Sequence, residues 1–212
     1  MKKENRIWFW SIAILVFIAL TWLMINLANP NTEGSTVVTD QEWSTGNPEA
    51  LVTLIEYSDF QCPACANYQP MIKKLAEEMG DKIQIIYRHF PLSSIHSQAQ
   101  LAAQAAEAAG QQNAFWAMHD KLFEGQSTWS NQSNAEEIFI NYAEKLELNI
   151  EQFKSDLDNN AIEDAIKDDV RSGNQALVEG TPTFFLNGEK INNPRSYDKF
   201  RQLINDELSK IQ

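Results

Sequence analysis

The chain holds two cysteines, and both lie in the string Phe60-Gln61-Cys62-Pro63-Ala64-Cys65. Two thiols at this spacing could form a redox pair, a structural clip or half of a metal site. A thiol attacks only as thiolate, and a free pKa of about 8.5 keeps it mostly protonated at neutral pH. At a helix N-terminus, unpaired backbone N–H groups and the positive end of the helix dipole face the sulfur and favour its anion. Pro63 fits the first turn of a helix starting here, where its missing N–H leaves nothing unsatisfied. Cys65, one turn on, lies on the same side and can close a disulfide with Cys62. Attack by one thiol and release by the other is how disulfide exchange proceeds. The two bland readings have less behind them. Zinc would need two further ligands, and the histidines available, His89, His96 and His119, show no second paired spacing. A clip closing so small a loop would remove little entropy from the unfolded chain.

The elements around this pair must hold it at a strand-to-helix junction. Residues 51–57 (LVTLIEY) read as a β-branched-rich strand after the turn signal Gly46-Asn47-Pro48. A helix is expected over 62–79, with Met71, Ile72, Leu75 and Met79 on one face and Gly80-Asp81 ending it. Residues 82–90 (KIQIIYRHF) read as a second buried strand, which makes a βαβ unit with a right-handed crossover. Helical patterns fill 96–124, 134–146 and 150–171. Strand character returns over 181–191, where Asn187-Gly188 signals a hairpin, and an amphipathic helix over 196–211 follows. The order is βαβ, a helical insertion at about 93–176, then ββα, within an α/β domain spanning 45–212.

A net charge of −12 argues against nucleic acid as a partner. The N-terminus points to a membrane instead. After a basic segment over 1–6, residues 7–28 (IWFWSIAILVFIALTWLMINLA) carry no charged side chain. As a helix this stretch would be roughly 33 Å long, enough to cross a hydrocarbon core of about 30 Å. Trp8, Trp10 and Trp22 sit toward its ends, and Lys2, Lys3 and Arg6 precede it. The expectation is a transmembrane signal-anchor contacting the bilayer through 7–28, with a cytoplasmic N-terminus. Residues 29–44 would then tether a domain outside the cytoplasm, where disulfides persist. The alternative is a cleaved signal peptide and a secreted or periplasmic protein, although Asn26-Leu27-Ala28 makes a poor cleavage site.

EYSDFQCPACANYQP, IIYRHFPL, QAQLAAQAAEAAGQQNAFWAMHDKLF and VEGTPTFFLNG together resemble the DsbA-like thiol-disulfide oxidoreductases of bacteria, in their BdbD-type branch. The resemblance spans about 46–210 and implies a thioredoxin fold with an inserted helical domain. It also implies roles residue by residue. Cys62 matches the exposed nucleophile, Cys65 the buried resolving thiol, and Glu56 the acidic residue beneath the active site, able to relay a proton to or from Cys65. Pro182 matches the cis-proline facing the cysteine pair, and Pro70 the kink of the active-site helix. Thr181, together with Pro63 and Ala64, belongs to the substrate-binding surface, Thr181 offering its backbone groups to an extended substrate strand. No cofactor beyond the Cys62–Cys65 disulfide and no metal is implied. Partners would be reduced or unfolded exported proteins, plus a quinone-linked membrane re-oxidase of the DsbB or BdbC type.

Direction stays open. Strong oxidants of the family carry histidine between the cysteines, whereas Ala64 leaves mainly helix-terminal N–H groups to hold the thiolate. The expected function is a membrane-anchored oxidase of exported proteins. A reductase or isomerase would run the same exchange the other way, and a chaperone or adaptor with vestigial cysteines would not run it at all. His89 and His96 read as capping or packing residues, His119 as core, and Asp59 as a turn residue.

Overall fold

The computed structural model describes residue 14, residues 16–22, 38–39 and 42–211. The expected membrane anchor is corrected here. Among the described residues, no helix is long and apolar enough to cross a membrane. Within 7–28 only Ile14 and residues 16–22 are described, as helix. The rest of 7–28, the basic segment over 1–6 and most of the tether lie outside the described residues. A transmembrane helix, a bilayer contact and single-pass placement are therefore not carried further.

From residue 42 onward the chain builds a sheet on which the cysteine helix rests. β1 (Trp43–Gly46), β2 (Val52–Ser58), β3 (Ile83–His89), β4 (Thr183–Leu186) and β5 (Glu189–Lys190) stand in the order β1-β3-β2-β4-β5. The central pair β2–β3 is parallel, as the α1 crossover (Pro63–Met79) between them requires, while β1, β4 and β5 pair antiparallel. Between β3 and β4 come α2 (Ala99–Gly110), α3 (Phe115–Glu124), α4 (Gln126–Trp129), α5 (Ala135–Lys145), α6 (Ile150–Leu157) and α7 (Asn160–Gln175), and α8 (Tyr197–Ile211) closes the domain. This is a thioredoxin-like α/β fold with an inserted helical subdomain.

Side chains of β2 alternate between two cores, as a strand's period of two dictates. Val52 and Leu54 pack with Ile72, Leu75 and Met79 of α1 and with Phe200 of α8. Ile55 and Tyr57 face the opposite way, toward Phe90, Ala176 and Val178. Glu56 follows Val52 and Leu54 in the row under α1, so the alternation itself puts a carboxyl beneath the cysteines. A third cluster fills the helical subdomain with Phe115, Trp129, Phe139 and Phe153, and it runs without a break into Phe60, Cys62 and Cys65. The insertion is thus packed directly onto the cysteine pair.

Several boundaries differ from the sequence reading for local reasons. Residues 150–171 divide at Asp158, because Asn149 and Asn159 each cap a separate helix, accepting from Gln152 N and Ala161 N. The Asn187-Gly188 turn does link β4 and β5, and both residues take the positive φ that a tight hairpin needs, 48° and 84°. β1 begins inside the stretch read as tether. Trp43 holds it there, stacking on Phe115 with ring centroids 4.3 Å apart and donating from Nε1 to Glu107 Oε1 at 2.7 Å.

Gly110 is the residue that lets the Trp43 ring lie flat on α2, since a Cβ at this position would run into the ring. Gly110→Ala should therefore lower stability by about 1–2 kcal/mol, the overpacking outweighing the gain in helix propensity. Thermal unfolding checks this, and an unchanged Tm would show that Trp43 can step aside.

Candidate active site

α1 starts where β2 has ended, and Cys62 is its N-cap residue, with extended backbone angles of −71° and 120°. No side chain caps this terminus, and Pro63 follows at the first helical position. The first-turn N–H groups are thus left to face whatever sits at the cap, which here is a sulfur. Cys62 is 7% exposed and Cys65 fully buried one turn on, both as free thiols. The Cys65 thiol donates to the Cys62 sulfur and draws its pKa down. Burial opposes this, while the Cys65 and Ala64 amides assist, and the outcome is about 5. Burial pushes the Cys65 thiol well up, as do its hydrogen bond to Cys62 and the charge of Glu56. One thiol of the pair is therefore an anion at neutral pH and the other holds its proton.

Opposite Cys62 runs the segment entering β4. The Cys62 sulfur lies 3.4 Å from the Thr181 carbonyl oxygen, to which it can donate only when protonated, and the Thr181–Pro182 peptide bond is cis. Asn193 Nδ2 fixes the Pro182 carbonyl at 2.7 Å. Ala64 is exposed beside the sulfur, as is Pro63, so both present surface at the mouth of the site.

Glu56 is 5% exposed, paired in register with Tyr87 on one side and Phe184 on the other. Burial raises its pKa to about 7; the hydrogen bond from Ser58 Oγ at 2.7 Å offsets part of this, and the nearby Cys62 charge adds to it. Its carboxyl also lines a half-open cavity of about 300 Å³ with Gln69, Lys73, His119 and Asp120. None of the residues at the sulfur, Cys62, Thr181 or Pro182, lines that cavity. A group titrating near neutrality, close to Cys65 and bordering a cavity, can both give and take a proton there.

The structure thus brings Cys62, Cys65, Glu56, Thr181 and Pro182 together, with Pro63 and Ala64 at the rim. Pro70 lies inside α1. His89 is packed among Phe60, Tyr87 and Phe115, its Nε2 3.0 Å from Glu107 Oε1, away from the sulfurs' polar contacts. His119 is likewise ringed by aromatic side chains. Asp59 does more than turn the chain. Its side chain accepts from Gln61 N at 2.7 Å and Leu92 N at 3.0 Å and meets His96 Nδ1 at 2.6 Å, pinning the loop after β3 to the cysteine turn. Sequence reasoning missed two glutamines. Gln61 accepts from Gln98 N and donates to Ser130 O, both at 2.6 Å, and Gln126 donates to the carbonyls of Phe60 and Cys62. Gln61 at least carried a signal, as a long polar side chain within the cysteine string.

The family model for Thioredoxin matches residues 38–206. The chain is 30% identical to the Probable disulfide bond formation protein D of Bacillus anthracis over 220 residues, covering 99% of this chain and 100% of that one. It is also 39% identical over 151 residues to a protein of Salinispora arenicola named Na(+)/H(+) antiporter NhaA 1, covering 71% of this chain. The chain spans only 22% of the length of that relative. Oxidised BdbD from Bacillus subtilis superposes with a TM-score of 0.71 at 24% identity, over 79% of this chain and 93% of that one. The α-DsbA1 protein of Wolbachia pipientis gives 0.75 at 20% identity, over 86% and 100%. With the fold, the full-length relative and the family model in agreement, the chain belongs to the DsbA/BdbD-like family of thioredoxin-fold thiol-disulfide oxidoreductases.

Proposed function

We propose that this protein oxidises paired thiols of protein substrates by dithiol–disulfide exchange at Cys62. The observation that carries the reading is the Cys62 sulfur itself, seated at an uncapped helix N-terminus with its pKa drawn down to about 5. Favouring the thiolate stabilises the reduced pair, and a stable reduced form makes the disulfide form an oxidant.

In the forward cycle the protein starts with a Cys62–Cys65 disulfide. A substrate thiolate attacks Cys62 Sγ; the Cys62–Cys65 bond breaks, and its electron pair leaves on Cys65. Protonated Glu56 gives that sulfur its proton. A second substrate thiolate then attacks the substrate sulfur of the mixed disulfide, and Cys62 leaves as thiolate. Two electrons pass from substrate to protein, and the substrate keeps the new disulfide. In this reading an extended substrate segment pairs with the backbone of Thr181, and Pro63 and Ala64 form the adjoining surface.

Reduction potential tests the direction. A value near about −120 mV, with rapid oxidation of a reduced test protein, is the expected result. A value near about −270 mV would make the protein a reductase, since the same chemistry would then run backwards.

A further inference from the structure

Pro63 leaves the Cys62–Pro63 peptide without an N–H, so the carbonyl of Cys62 is the only polar handle on that plane. Two donors hold it. Ala66 N closes the first turn of α1 at 3.2 Å, and Gln126 Nε2 approaches from the helical subdomain at 3.0 Å. The same Nε2 donates to Phe60 O at 2.7 Å, so one side-chain amide spans the carbonyls on both sides of Gln61. Its orientation is fixed by chemistry, because the amide oxygen turned toward two carbonyl oxygens would find no donor.

Rotation of that plane is the ψ of Cys62, and ψ decides how the helix N–H groups face the sulfur. We infer that Gln126 is a positioning residue for the exchange reaction: from the helical subdomain it locks the Cys62–Pro63 peptide plane and thereby holds the Cys62 sulfur against the amides of α1. This rests on Cys62 being the sulfur at which exchange with substrate takes place. Gln126 has a firm base from which to do so. It opens α4, whose last residue, Trp129, is fully buried and donates from Nε1 to Leu122 O at 2.8 Å. The insertion is then part of the catalytic apparatus through one named contact, in addition to covering the site.

A second clasp supplies the control. Gln61 joins the same turn to the same subdomain through Gln98 N and Ser130 O, without touching the Cys62 carbonyl. A purely structural role for the clasps makes the two glutamines equivalent, whereas positioning separates them.

The test is the pH dependence of Cys62 alkylation in the reduced full chain, with the modified cysteine identified by mass, alongside Tm. Around the sulfur the titrating neighbours are Cys65 and Glu56, and both are kept in every variant. Gln126→Met should raise the thiolate midpoint by about one unit, which reads as about tenfold slower alkylation below the midpoint. Gln126→Glu should raise it further, because a carboxylate would then face both carbonyls. Gln61→Met should lower Tm while leaving the midpoint in place. Equal shifts in the Gln61 and Gln126 variants, or a Gln126→Met midpoint that does not move, would overturn the inference. So would a shift confined to Gln126→Glu, which would be charge alone. Alkylation does not depend on substrate oxidation, so a protein that failed as an oxidase would still show whether Gln126 positions the sulfur.

Discussion

Cys65→Ala should leave Cys62 able to form a mixed disulfide and unable to escape from it. With a peptide carrying a single cysteine joined to Cys62, the native protein should expel the peptide quickly by attack of Cys65. The alanine variant should hold it at least about a thousandfold longer, because the internal thiol acts at an effective concentration that external thiols cannot approach. Burial strengthens the effect: Cys65 is fully covered and Cys62 nearly so, and small thiols have little access to the bond. Mass spectrometry of the intact adduct over time gives the lifetime directly. Equal lifetimes in the two proteins would remove Cys65 from the reaction and return the pair to a structural role. Turnover with a two-thiol substrate should vanish together with the Cys62–Cys65 disulfide.

That division of labour between the sulfurs was open to reading because it follows from local rules. A proline after the first cysteine, a strand before it and helical spacing after it place one thiol at a helix cap and the next one turn inside. Glu56 came chiefly from the family resemblance; the residues themselves offered only a charge within an apolar strand, and it is the fold that puts that charge on the α1 face. The glutamine contacts were not legible. They join residues 61 and 98, 61 and 130, and 126 and 62, and a pairing between a side-chain amide and a distant backbone carbonyl leaves no pattern in the chain. β1 escaped notice because Trp43 stands in a polar stretch, and its partners Phe115 and Glu107 lie in the helical subdomain. The membrane anchor was read from apolar length alone; most of 7–28 lies outside the described residues, and among the described residues no helix is long and apolar enough to cross a membrane.

Glu56→Gln should make the oxidised protein more stable in alkaline solution and a slower catalyst. In the unfolded chain this carboxyl loses its proton near its ordinary value of 4.5, whereas in the fold it keeps the proton to about 7. Stability from the protonated form is complete below 4.5 and is lost as pH rises through 7, where the fold must carry a buried anion. At pH 8–9 the cost is at most about 3 kcal/mol, since burial remains but the smaller contribution of the Cys62 thiolate is gone once the pair is oxidised, and glutamine, which never ionises, is spared it. The oxidised protein is the state to study, since the Cys62 thiolate then exerts no charge on Glu56. In the reduced protein that thiolate has its own linkage of opposite sense, present above 9.0 and lost as pH falls through 5. Unfolding midpoints of the two oxidised proteins should therefore diverge between pH 5 and 8, and parallel profiles would sink the assignment. The same substitution removes the base that Cys65 needs to attack a mixed disulfide, because burial holds its thiol protonated at neutral pH. Release of a Cys62-linked peptide should slow on the order of 100-fold at pH 7. A buried carboxylate that costs stability and speeds proton transfer is a functional residue, and a variant that gained stability without losing rate would show Glu56 to be only a flaw in the core.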